Sequence, residues 1–121
     1  MRFASVALLA ALGAASCDEP DRRFYQTHAN VDSCEHALEV PWEAVGACTM
    51  LMNRVDDQLM DAPRARIHRG DAFAEMEEYE HAKVDYRWVL AHAPNHKSAK
   101  RAREKLAQIE EDDKSRAEAA K

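Results

Sequence analysis

Three cysteines, at positions 17, 34 and 48, and six histidines carry the reactive chemistry this chain could offer. Thiolate and imidazole are the usual ligands of zinc and other transition metals, and a metal site needs three or four of them converging on one point. The spacings work against that. His92 and His96 are four residues apart, but Pro94 lies between them and interrupts the helix that would align them. Cys34 and His36 are two apart, which sets them on different helical faces. His68 and His81 fall on separate predicted helices. Glu77 and Glu78 read as a solvated turn rather than a catalytic acid–base pair. The chain has no nucleophile motif, no glycine-rich phosphate loop and no haem-attachment motif. No catalytic residue, cofactor or metal ligand is therefore assigned, and the expectation is a protein that is not an enzyme.

Cys17 ends a different kind of segment. The chain opens MRFASVALLAALGAASCDEP, with Arg2 as a short basic start and an unbroken run of apolar and small residues from Phe3 to Ala15. A bilayer-spanning helix takes about 20 apolar residues, so residues 1–16 have the build of an export signal that is removed. The segment Ala14-Ala15-Ser16-Cys17 resembles a bacterial lipoprotein cleavage box, with Ala14 where such boxes usually carry Leu. The resemblance implies acylation of Cys17, palmitate included, and a lipid-anchored protein of the cell envelope facing the periplasm. Ala14 and Ser16 equally satisfy the small-x-small rule for ordinary cleavage after Ser16, which leaves a soluble periplasmic chain as the alternative and an uncleaved anchor as a third. The cysteine count favours the lipid: with Cys17 modified, Cys34 and Cys48 remain as an even pair in an oxidising compartment.

Removal of residues 1–16 would take away one charge, Arg2, moving the net charge from −5 to −6 on 105 residues. That is enough for one small domain, preceded by a linker over residues 17–29. An acidic balance with no long basic tract argues against a nucleic-acid partner. Glycine is scarce, while Ala, Glu, Lys and Arg are abundant, and no long stretch alternates in the manner of a strand. An all-α fold is expected.

The most specific signal after the leader is the thirty-four-residue stretch over residues 63–96, PRARIHRGDAFAEMEEYEHAKVDYRWVLAHAPNH. Gly70, Phe73, Tyr79, Ala82, Tyr86 and Pro94 stand at the offsets of a tetratricopeptide repeat, which this stretch resembles. The resemblance implies two antiparallel helices crossing closely where Gly70 meets Ala82. Phe73 and Tyr86 would fill the adjacent space, Tyr79 would open the second helix, and Pro94 would end it. Arg66 and Arg69 depart from the pattern, since the family usually carries large apolar residues there. The side of Arg66 is expected to be open or capped by an acidic neighbour.

One such unit needs neighbours to bury its faces. Residues 30–60 read as a degenerate hairpin, with Val31 to Val40 and Trp42 to about Val55 as its helices and Pro41 between them. Ala37, Leu38, Val45, Cys48, Met52 and Val55 are its expected inward residues, and Trp42 a core wedge. Cys34 and Cys48 lie seven residues either side of Pro41, so they face each other across an antiparallel pair. A disulfide is the favoured reading and two buried free thiols the alternative. Residues 97–121 supply a C-terminal solvating helix, capped by Asn95 or Ser98, with an apolar stripe of Ala99, Ala102, Leu106 and Ile109. Beyond Ile109 nothing substantial is left to bury, and a frayed or projecting tail is expected. Trp88 is expected to pack under this last helix, or to be an exposed anchor. The whole is a short α-α superhelix of tetratricopeptide-like hairpins with a capping helix.

Repeats of this family usually bind peptides or protein segments along their first helices. In this chain that face would be Arg64, Ile67, His68, Asp71, Ala74 and Glu75, without the Lys and Asn that grip a C-terminal carboxylate. The expected function is a non-catalytic envelope adaptor or scaffold with a protein or peptide partner and a membrane contact through Cys17. A soluble periplasmic binding module and, less favoured, an accessory domain of an envelope enzyme stand beside it.

Overall fold

Prolines and one carboxylate set the helix starts. In the computed structural model, which describes residues 30–53 and 60–121, a short helix α1 over residues 30–35 is followed by four longer ones. These are α2 (Pro41–Met52), α3 (Ala62–Glu75), α4 (Tyr79–His92) and α5 (Ala99–Ala119). No strand occurs among the described residues. Pro41 is the first residue of α2, where a missing N–H forfeits no intrahelical bond. Pro63 stands in the first turn of α3, and the Asp61 carboxylate accepts the Arg64 N–H at 2.9 Å. Ser98 precedes α5 but makes no side-chain cap bond. The export segment, Cys17, the linker and Val55 lie outside the described residues.

The turn between α3 and α4 is tight. Glu77 takes a φ of 61°, and the Glu78 N–H reaches back to the Phe73 carbonyl at 2.8 Å. A left-handed residue closing a helix in this way is most often glycine. Here an exposed glutamate does it, and the two helices return antiparallel within three residues.

Each helix packs on its neighbours in sequence, with α3 in the middle. Ala65 and Ala72 of α3 face the first hairpin, in clusters with Cys34, Ala47, Cys48, Leu51 and Met60 and with Ala37 and Ala44. Ile67 faces the other way, into a cluster with Ala82, Tyr86 and Val89 of α4 and Ala99, Ala102 and Ile109 of α5. Phe73, Tyr79 and Trp88 are half-buried against that cluster. The space left by Gly70 is taken by the Tyr86 ring: a β-carbon on Gly70 would lie 2.7 Å from Tyr86 Cε1. The absent side chain at Gly70 thus makes room for the Tyr86 ring. Pro94 follows directly on Ala93, which ends α4.

The Sγ atoms of Cys34 and Cys48 are 2.01 Å apart, bonding distance, with their Cα atoms at 4.9 Å. Both residues are fully buried. The link ties α1 to α2, where α1 has too few turns to hold itself.

Two expectations need correction. Trp42 is no wedge: it is 68 % exposed, and Leu38 is 55 % exposed. The buried stripe of α2 is Ala44, Ala47, Cys48 and Leu51, and at about 100° per residue Trp42 falls on the opposite side. The tail projects as a helix and not as a frayed end: α5 continues to Ala119, and residues 110–121 are exposed apart from the half-buried Asp113. Beyond Ile109 it is held by charge. Arg87 meets Glu110 at 3.3 Å, Lys83 meets Asp113 at 3.1 Å, and Arg116 lies 5.0 Å above the Tyr79 ring. These partners descend α4 as they climb α5, so two ion pairs and a cation–π contact extend the contact that the apolar stripe begins.

Candidate interaction surface

The α3 face expected to bind a partner is divided by the fold. Ile67 is 4 % exposed and Asp71 3 % exposed, so neither is available to a partner. Asp71 accepts the Tyr86 hydroxyl at 2.7 Å on one oxygen and the Arg101 guanidinium at 2.6 Å on the other. It joins α3 to α4 and α5 instead of lining a groove. Burial first, and then the Asp71 carboxylate, push the Tyr86 hydroxyl well above the usual phenol range. Arg64 pairs with Glu35 of α1. His68 is half-buried beside them, and burial holds its imidazole below the ordinary histidine value. Glu75 is exposed and Ala74 half-buried.

Arg66 and Arg69, the departures from the repeat pattern, converge on one acidic neighbour. Asp85 of α4 is fully buried. Arg69 donates to it twice, Nε to Oδ2 at 2.8 Å and Nη2 to Oδ1 at 2.7 Å, and Arg66 Nη1 donates to Oδ1 at 2.9 Å. Arg69 Nη1 also donates to Thr49 Oγ1 of α2 at 3.0 Å. The Arg66 guanidinium stacks 4.7 Å from the Trp88 ring, and Trp88 stacks on His92 at 4.4 Å. A buried carboxylate held by two guanidinium groups in this way is a structural anchor, because both of its oxygens accept charge-assisted hydrogen bonds. Asp85 stands where Leu51 stands one thirty-four-residue interval earlier, which is why apolar periodicity does not reveal it.

The histidines are dispersed. His96 Nδ1 accepts the Ser98 N–H at 3.0 Å, which leaves Nε2 to donate to Asp61 at 3.1 Å. Partial burial works to raise the Asp61 carboxyl, but the Arg64 N–H and His96 outweigh it and hold it below the usual range. With both ring nitrogens engaged, His96 has none left for proton transfer. His92 Nδ1 is 3.0 Å from the Trp88 carbonyl, and His81 sits edge-on to Phe73 at 5.0 Å. Among the described residues no three His, Cys, Asp or Glu side chains converge on a metal-sized point, and no helix is long and apolar enough to cross a membrane.

Among the described residues, one open concavity lies at the corner where α1 turns into α2. A cavity of about 260 Å³ is lined there by Asp32, Ser33, His36, Glu39, Val40 and Glu43. The His36 Nδ1 lies 2.7 Å from the Asp32 carbonyl. That contact, then the charges of Asp32 and Glu39, raise its pKa above the ordinary value. Leu38 and Trp42 are exposed beside this cavity in sequence. The off-stripe position of Trp42 is a sequence signal that could have located this surface. Comparison of the chain with protein-family models, curated proteins and solved structures finds no match.

Proposed function

We propose that this chain is a non-catalytic adaptor or scaffold of the bacterial cell envelope, built from tetratricopeptide-like hairpins and anchored by a lipid on Cys17. The observation that carries the adaptor reading is the contrast between a polar interior consumed by structure and an apolar surface left uncovered. Asp85 and Asp71 are each buried and tied by two partners, whereas Trp42 and Leu38 face solvent. Exposed aromatic residues beside a cavity are what a protein-binding surface needs, since buried aromatics dominate interface energetics. The even pair Cys34 and Cys48 that remains once Cys17 is modified fits an oxidising compartment, and the Ala14-Ala15-Ser16-Cys17 segment supports export and lipidation.

The test is crosslinking in intact envelopes, followed by capture of the wild type and of Cys17→Ala. The wild type is expected to yield a discrete crosslinked partner and an N-terminal fragment carrying acyl mass. An unmodified Cys17 would favour the soluble periplasmic reading. Purified protein that turned over a small molecule would overturn the adaptor reading itself.

A further inference from the structure

The net negative charge of the described chain is concentrated in its first hairpin. Between residues 30 and 53 there are four carboxylates, Asp32, Glu35, Glu39 and Glu43, and no Lys or Arg; residues 60–121 carry acidic and basic side chains in equal number. Glu35 is neutralised by Arg64, and Asp32 has His36 at 3.4 Å. Glu39 and Glu43 have no ion-pair partner among the described residues, and both border the 260 Å³ cavity. Each is preceded by a large exposed apolar residue: Leu38 before Glu39, Trp42 before Glu43. Acidic and apolar surface are thus interleaved at one corner, around a concavity.

We propose that this corner docks a cationic amphipathic segment of a partner protein, with Lys or Arg side chains entering the acid-rimmed cavity and apolar side chains covering Trp42 and Leu38. The proposal rests on the adaptor reading and names the class of its partner. Charge complementarity selects the occupant. An anionic segment would meet Asp32, Glu39 and Glu43 with, among the described residues, only His36 beside them as a group that can carry positive charge, while a cationic one is steered in and held in register by them. A neutral apolar segment would cover Trp42 but leave the carboxylates desolvated and unpaired. The Trp42 ring suits a cation as well as an apolar group, since ammonium and guanidinium groups are attracted to the indole face.

The purified chain is titrated with a helical Lys/Leu peptide and with its Glu/Leu counterpart of equal length, following the Trp42 and Trp88 indole N–H resonances and the heat of binding. The Lys/Leu peptide is expected to shift Trp42 and not Trp88. Its affinity is expected to fall by about tenfold or more in Glu39→Lys/Glu43→Lys and in Trp42→Ala, as for loss of an interface anchor, with helical circular dichroism unchanged. Glu111→Lys/Asp112→Lys on α5 should leave it within about twofold, as expected of charges outside the contact. Equal binding of the Glu/Leu peptide, a shift confined to Trp88, or equal weakening by the α5 variant overturns the proposal. So does a Trp42 shift produced by raising protein concentration alone, which makes a second copy the occupant. Protection of Trp42 from acrylamide in the free chain also overturns it, in favour of the chain's own leading residues. In envelopes, crosslinks that persist in Glu39→Lys/Glu43→Lys sink this surface alone, whereas their absence from the wild type sinks the adaptor reading.

Discussion

Arg69 grips Asp85 through two parallel hydrogen bonds of 2.8 and 2.7 Å, and its remaining nitrogen reaches Thr49 on α2. One guanidinium thereby ties three helices together across a fully buried carboxylate. Removing the carboxylate leaves Arg66 and Arg69 facing each other with Thr49 Oγ1 as Arg69's one remaining acceptor among these contacts, and breaking a buried pair from one side costs about 3–5 kcal/mol. Asp85→Ala is therefore expected to destabilise by roughly that amount in urea unfolding. Arg66→Ala is expected to cost less, because Arg69 keeps its two bonds. A loss in Asp85→Ala no greater than in Arg66→Ala would contradict the hub role of Asp85.

Gly70 of α3 lies directly against the Tyr86 ring of α4. A methyl group at position 70 would stand 2.7 Å from Tyr86 Cε1, and the ring cannot retreat freely because its hydroxyl is bonded to Asp71 at 2.7 Å. Gly70→Ala should lose about 1–3 kcal/mol to overpacking, against the gain in helix propensity that alanine normally brings. The double variant Gly70→Ala/Tyr86→Leu should recover part of this loss. A Gly70→Ala protein as stable as wild type by thermal unfolding would show that the ring has room to move.

The Cys34–Cys48 link closes a loop of 14 residues in sequence separation. In the chain-entropy account a loop of about 15 residues contributes about 3 kcal/mol. Reduced protein, or Cys34→Ser/Cys48→Ser, is expected to unfold at lower urea by that order, with α1 losing amide-exchange protection first. Undiminished protection of residues 30–35 in the reduced protein would mean that packing alone retains α1.

Two histidines should titrate on opposite sides of 6.5, the ordinary value. His68 is lowered by burial first, with Arg64 and Arg101 adding to this and Asp71 and Glu35 opposing. The fold thus favours its neutral ring, so that contribution to stability is complete above about pH 6.5 and is lost as the pH falls through the folded value. His36 is raised, by the Asp32 carbonyl first and then by Asp32 and Glu39. Its contribution is complete below 6.5 and is lost as the pH rises through the folded value. Proton NMR of the two imidazoles checks this; a His68 midpoint above that of His36 would contradict the placement of one of them.

Much of the architecture is written locally. Pro41, Pro63 and Pro94 mark helix boundaries through their missing N–H groups, and the spacing of Gly70, Ala82, Tyr86 and Val89 marks the buried face of one hairpin. Those signals act within a few residues, so they survive without knowledge of what lies across the interface. The interior charges do not. Arg69 and Asp85 are 16 residues apart, and Lys83 and Asp113 are 30 apart. Whether such groups are solvated or buried depends on which helix faces them. Apolar periodicity treats Asp71 and Asp85 as surface and sees no reason for α5 to continue past Ile109, because it does not register a charge satisfied by an opposite charge. Chain order and helix content thus follow from residue chemistry along the backbone. The polar interior and the exposed Trp42 corner follow from packing, since burial of a charge becomes tolerable only once its partner has been brought within hydrogen-bonding distance.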